Sequence, residues 1–173
     1  MNLQSISKVM LGYGVDNFQK CFPYVKELRS STFSGKEYDF KSLACLEKFT
    51  LIDYRRIRKS SCGMNRVTFP ATLRILKLVA CRLPWSDMSI LQSLTNLEVL
   101  KLKLNAFEGS YWNTNEQEFP QLKLFLRLEM LDIKLWEAYS PTFPCLKRLE
   151  IFHCYHLKET PLGIGDISTL ELI

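Results

Sequence analysis

Residues 73–107 read LRILKLVACRLPWSDMSILQSLTNLEVLKLKLNAF, and within them Leu73, Leu76, Leu78, Cys81 and Leu83 return 24 residues later as Leu97, Leu100, Leu102, Asn105 and Phe107. Self-similarity at a fixed period of this size is the signature of a solenoid, in which each unit forms one coil stacked on the next. The internal gaps run three, two, three, two, which fits neither a helix of period 3.6 nor an unbroken strand of period two. Only Leu76 to Leu78 and the equivalent Leu100 to Leu102 alternate as a strand does. On either side the chain has to turn, so that every Leu and the Asn or Cys face inward. One coil alone cannot fold. Ordering its backbone costs about 1–2 kcal/mol per residue, whereas each buried apolar side chain returns roughly 1.5–3 kcal/mol, so stacked neighbours have to supply the balance.

Working outward, the first Leu-type position recurs at Leu3, Val25, Leu46, Leu73, Leu97, Leu122, Leu146 and Leu170, in steps of 22, 21, 27, 24, 25, 24 and 24 residues. A second column supports this register: Phe22, Leu43, Leu94, Phe119, Phe143 and Ile167 lie three residues before those positions, and Phe69 lies four before. Phe22, Phe69, Phe119 and Phe143 each precede a proline, which fixes φ and biases its predecessor toward extended backbone, as a coil returning to its next strand requires. The pattern L-x-x-L-x-L-x-x-N/C-x-L resembles a leucine-rich repeat. It predicts an α/β solenoid, a horseshoe with a parallel β-sheet on its concave face and loops or short helices on its convex face. One domain of about seven repeats then spans residues 1–173.

Local departures carry their own expectations. Leu3 and Ile6 are followed by Lys8 where an apolar residue belongs, so the first unit is expected to fray. In FPQLKLFLRLEMLDI, residues 119–133, the set Leu126, Leu128, Leu131 and Ile133 keeps phase only if one residue such as Leu124 is extra, which predicts a bulge. The long unit carries its excess in the polar loop YRRIRKSSCGMNRVT, residues 54–68. PWSDMSILQSL, residues 84–94, reads as a short convex helix with Ser86 as N-cap and Met88, Leu91 and Leu94 turned inward.

Composition narrows the function classes. The start MNLQSISKVMLGYGV lacks a basic region followed by an apolar core, and no stretch approaches about 18 apolar residues, so neither a secretory leader nor a membrane span is expected. Of six cysteines, Cys81 and Cys154 fall at the inward Asn/Cys position, where a thiol serves as a small apolar group, and reduced cysteines in an intracellular compartment are the reading, with a cytoplasmic location expected and membrane or nuclear association through partners as the alternatives. His153, Cys154 and His156 have metal-ligand chemistry, but Cys154 turns inward while His153 turns out, so no metal site is expected. With two histidines, no Ser-His-Asp arrangement, and Asp132, Glu137, Glu150 and Glu159 scattered over different coils, there is no visible catalytic machinery. The chain reads as non-enzymatic and without a cofactor, with neither a small-molecule substrate nor a nucleic-acid partner expected. The basic run Arg55 to Lys59 reads as a solvated loop, and Trp85, Trp112 and Trp136 as packing between coils.

Two segments go beyond a generic repeat: FPATLRILKLVACRLPWSDMSILQSLTNLEVLKLKLNAFEG, residues 69–109, and FPCLKRLEIFHCYHLKETPLGIGDISTLELI, residues 143–173. With the ending carried by Cys154, Leu157, Pro161 and Ile164, they resemble the C-terminal repeats of plant coiled-coil, nucleotide-binding, leucine-rich-repeat immune receptors of the late blight resistance type. The resemblance implies a defence role with a protein partner, either a pathogen effector or the receptor's own nucleotide-binding domain. The chain has no G-x-x-x-x-G-K-[ST] loop and neither end reads as a polar cap, so it is expected to be a fragment lacking caps and a nucleotide-binding domain. The alternatives are a substrate adapter of a ubiquitin ligase, which would need a ligase-docking helix pair, and a nonfunctional truncated receptor.

Numbering each repeat from its first Leu, positions three, five and seven of the strand face outward. Position five holds Arg29, Thr50, Lys77, Lys101, Arg127 and Glu150, with Lys103 and Arg148 beside it. Neighbouring strands lie about 4.8 Å apart, so these stacked cations repel one another, and an acidic partner would relieve that repulsion. The bland alternative is that a net charge of +5 only keeps the array soluble. Phe152 at position seven is a further candidate contact. Arg29, Lys77, Lys101, Lys103, Arg127, Arg148 and Phe152 are therefore the candidate protein-binding residues.

Overall fold

Apolar residues spaced three and then two apart build one parallel rung per coil. The computed structural model describes residues 4–11, 20–33, 38–53, 64, 67–114, 119–138 and 142–171. Its strands are β1 (Ser5–Leu11), β2 (Glu27–Phe33), β3 (Tyr38–Asp39), β4 (Lys48–Ile52), β5 (Val67–Thr68), β6 (Ile75–Val79), β7 (Leu83–Pro84), β8 (Val99–Lys103), β9 (Phe107–Glu108), β10 (Tyr111–Asn113), β11 (Phe125–Glu129), β12 (Leu135–Glu137) and β13 (Leu149–Phe152). The main sheet runs β1-β2-β4-β6-β8-β11-β13, all parallel, each strand joined to the next by one coil.

The register places the aliphatic positions in two continuous ribs. Leu28, Phe49, Leu76, Leu100, Leu126 and Leu149 pair in succession, and two residues on Ser30, Leu51, Leu78, Leu102, Leu128 and Ile151 do the same. All but the half-buried Ile151 are buried. In β8 and β11 burial alternates residue by residue, as expected when one sheet face packs on the core and the other faces solvent.

The column of residues preceding each first leucine closes a turn. The N–H of Val25, Leu46, Leu122, Leu146 and Leu170 donates to the carbonyl of Phe22, Leu43, Phe119, Phe143 and Ile167 respectively. Leu97 does so to Leu94, while Leu73 donates to Pro70, because Phe69 sits one residue further back. Four of the strands, β6, β8, β11 and β13, then leave through a left-handed residue: Ala80, Leu104, Met130 and His153 have φ between 53° and 57°. Such backbone costs a non-glycine residue roughly 1–2 kcal/mol. It persists because the ladder continues through three of these residues, the N–H of Ala80, Leu104 and Met130 donating to Lys103, Glu129 and Phe152 in the next coil.

The predicted irregularity at Leu124 is present. Four residues separate Leu122 from Leu126, where three separate Leu97 from Leu100, and Leu124 is exposed. The first unit does form a strand, although its pairing with β2 shifts register twice, around Val9. The convex segment is a 3-10 turn, Trp85–Asp87, leading into the helix Met88–Gln92. Met88 and Leu91 are buried and Leu94 packs against the core. Ser86 is not the N-cap: neither element has a side-chain cap. The acceptor there is Asp87, whose Oδ2 takes the N–H of Met64 at 2.7 Å. The basic run at residues 55–59 lies outside the described residues.

A second line of contact runs down the flank. β7 pairs with β9, and β10 with β12, both parallel. Trp85 stacks on Trp112 at 4.7 Å between ring centroids, and Trp112 on Trp136 at 4.9 Å. The tryptophans thus pack between coils. The Trp85 indole N–H donates to the Gly109 carbonyl at 2.9 Å. Gly109 has φ +128°, and a Cβ there would lie 3.0 Å from the Trp85 ring, so only glycine fits this crossing.

Candidate functional site

The outward face of the sheet carries the position-five column, and the strand register aligns it as the repeat spacing predicts. Arg29 pairs with Thr50, Thr50 with Lys77, Lys77 with Lys101, Lys101 with Arg127 and Arg127 with Glu150. Inward residues, mostly leucines, flank each of these positions along its strand, so that all of them but the nearly buried Thr50 reach solvent. Five of the predicted residues, Arg29, Lys77, Lys101, Lys103 and Arg127, line one shallow cup of about 280 Å³, together with the nearly buried Thr50 and the ion pair Lys48–Glu27. Arg148 and Phe152 lie outside this cup, on the flank next to and within β13.

The cup is electrostatically uneven. At its β11 side, Lys103 Nζ lies 2.5 Å from Glu129 Oε2, and Arg127 bridges Glu129 at 2.6 Å and Glu150 at 2.9 Å. Arg148 takes the other Glu150 oxygen at 2.6 Å. Hydrogen bonds from Lys103, opposed by burial and reinforced by Arg127, hold the Glu129 carboxyl below the usual glutamate range. Toward β2 the picture reverses. Among the described residues, Arg29, Lys77 and Lys101 have no carboxylate partner. Lys77, half-buried between them, has its ammonium pKa lowered by burial first and then by Lys103, Arg29 and Lys101.

Aromatic rings support the cations from the β11 side. Lys101 lies 5.0 Å from the centroid of Phe125, Arg148 5.4 Å from the same ring, and Arg127 5.3 Å from Phe152. Phe152 remains 49% exposed, beside the exposed His153. Sequence reasoning did not anticipate Glu129 and Glu150 as counter-ions. The available signal was the opposite sign of Lys103 and Glu129 at position seven of adjacent coils. Cys81 and Cys154 occupy the expected inward position. Burial pushes the Cys81 thiol up to about 12, and Cys154 moves in the same direction. No cluster of three metal-ligating side chains occurs among the described residues, and His156 instead lies 3.7 Å from Asp132.

A parallel sheet laid down once per coil over two leucine ribs, with short helices and turns behind it, defines a leucine-rich-repeat solenoid. In sequence the chain is similar to disease resistance proteins of Arabidopsis thaliana. Disease resistance RPP8-like protein 3 is 26% identical over 127 residues, 70% of this chain and 14% of that protein. Disease resistance protein RPP8 is 33% identical over 103 residues, 60% and 11% respectively. Disease resistance protein RPH8A is 30% identical over 163 residues, 90% and 18%. The chain therefore spans less than a fifth of the length of these relatives. No protein-family model matches it. Its homologues are plant disease resistance proteins, and no helix among the described residues is long and apolar enough to cross a membrane.

Proposed function

We propose that this chain is the recognition region of a disease resistance receptor of the coiled-coil, nucleotide-binding, leucine-rich-repeat kind, of the late blight resistance type. It acts in the cytoplasm, by binding, with no reaction of its own. Its sheet face holds a protein carrying negative charge, either a pathogen effector or the receptor's own nucleotide-binding domain. The observation that carries this reading is the run of cations, Arg29, Lys77 and Lys101, that have no ion pair among the described residues, on a sheet whose other charged side chains are largely paired. Complementary charge on a partner would speed encounter and fix its orientation.

The test is capture of the receptor's nucleotide-binding domain, and separately of an effector that elicits the response, by the purified chain at two salt concentrations. The triple variant Arg29→Glu, Lys77→Glu, Lys101→Glu is expected to lose capture of one of them by about a hundredfold, with native circular dichroism retained. Unchanged capture of both, with unchanged salt dependence, would overturn the reading.

A further inference from the structure

We propose that the cup at the β2 to β8 rungs is a binding site for a compact, multiply charged phosphate-type anion, a ligand that the chain holds by itself, without any protein partner. Three observations converge. First, the cup gathers Arg29, Lys77, Lys101 and Lys103 around Thr50; among the described residues Lys103 alone of these four has an ion-paired carboxylate, Glu129, which it shares with Arg127, and the one carboxylate lining the cup, Glu27, is held by Lys48. Second, Lys77 stands among like charges: Lys103, Arg29 and Lys101 all bear on it, and the single opposing charge is that same Glu129. Third, the neighbouring charges neutralise one another, Lys48 with Glu27 in the lining of the cup and Lys26 with Glu47 and Arg74 with Glu98 beside it, and leave the Arg29, Lys77 and Lys101 set over. A charge excess of this kind, confined to one concavity, is a site awaiting its counter-ion rather than a uniformly basic surface.

Size and geometry select the class. At about 280 Å³ the cup sits at the lower edge of small-ligand clefts, which run from roughly 300 Å³ upward. It is too small to seat a helix or a strand. The cations project from strands about 4.8 Å apart, with Arg29 two strands from Lys77 and Lys101 on the next. A carboxylate brings one charge and two oxygens in a plane. A phosphate group brings nearly two charges and three radiating acceptors, so one or two linked groups can meet cations arriving from three strands. Thr50, nearly buried on the floor between Arg29 and Lys77, keeps the approach open where a longer side chain would fill it.

Calorimetric titration of the whole chain at physiological ionic strength tests this, using tripolyphosphate, a phosphoserine peptide and an oligoglutamate peptide of matched charge. A phosphate-bearing ligand is expected to bind about tenfold tighter than oligoglutamate. Whichever of the two phosphate forms binds tighter names the source, free small molecule or phosphorylated chain. The double variant Lys77→Gln, Lys101→Gln should weaken that binding about tenfold or more. Lys77→Arg, which keeps the charge, should retain it, and Lys147→Gln, whose lysine pairs with Glu171 away from the cup, should leave it unchanged. Equal affinity for oligoglutamate, no binding of either phosphate form, or full binding by the double Gln variant would overturn the proposal. Because no protein partner enters the measurement, its failure leaves the partner-capture test standing, and the reverse also holds.

Discussion

Two columns of side chains climb the same sheet three residues apart, and they solve the same electrostatic problem in opposite ways. At position two the chain places Lys26, Glu47, Arg74 and Glu98 on successive coils, and Lys26 meets Glu47 at 3.3 Å while Arg74 grips Glu98 at 2.7 Å. At position five the same coils place Arg29, Thr50, Lys77 and Lys101, with no alternation of sign. Strand spacing and backbone hydrogen bonding are common to both, so the solenoid dictates neither pattern. An alternating column closes on itself and has no use for anything outside. A like-charged column leaves a repulsion at each rung that the fold does not recover. The contrast sharpens within position five itself, because beyond Lys101 the strands supply Glu129 and Glu150 and the repulsion is quenched. The excess is therefore local to β2 through β8.

The largest effect should come from cutting the rib that both columns share. Leu100 is fully buried beneath Lys101 and between Leu76 and Leu126, and Leu100→Ala should cost about 2–5 kcal/mol in urea denaturation. A loss well under 1 kcal/mol would mean that the coils do not share one continuous interior. Next, Glu129→Gln turns the quenched part of the face into an unquenched one. It should cost about 1 kcal/mol at neutral pH after solvent screening. Because the folded Glu129 pKa is lowered, its stabilisation is complete above the ordinary value of 4.5 and is lost as pH falls through the lowered folded value. Acid titration of stability should therefore be shallower in the Gln variant than in the wild type. The smallest effect runs the other way. Lys77→Met removes the most crowded cation and should stabilise the fold by less than about 1 kcal/mol. The folded Lys77 pKa is lowered from 10.5, so the wild type should gain stability as pH rises through that lowered value toward 10.5, and the Met variant should lack this gain. A destabilised Met variant would contradict the repulsion on which the comparison rests.

Much of this was legible in the sequence, and the reason is periodicity. The spacing of Leu73, Leu76 and Leu78 fixes which side chains enter the core, and once Leu124 is set aside as the extra residue the whole position-five column falls into register. Two features were not legible. Ala80, Leu104, Met130 and His153 turn the chain in left-handed backbone, a conformation that glycine or asparagine normally announces. Here the ladder enforces it on Ala80, Leu104 and Met130, which have no such preference. The ion pairs of Glu129 and Glu150 were hidden for another reason: they join side chains two residues apart on one strand as well as neighbours on adjacent coils. A column counted position by position sees only the second kind. Ser86 reads as a cap by residue type, but the turn there is 3-10 and has no side-chain cap.

The stacked indoles have a mechanical consequence. Trp85, Trp112 and Trp136 advance by 4.7 and 4.9 Å per coil, the same pitch as the sheet's own strands, and β10 and β12 are bonded to each other behind it. The array is thus pinned along two parallel rails of equal gauge. Opening or closing it over these coils would have to part aromatic rings on one side or break backbone bonds on the other. Whatever docks on the basic face there meets a rigid template and has to conform to it.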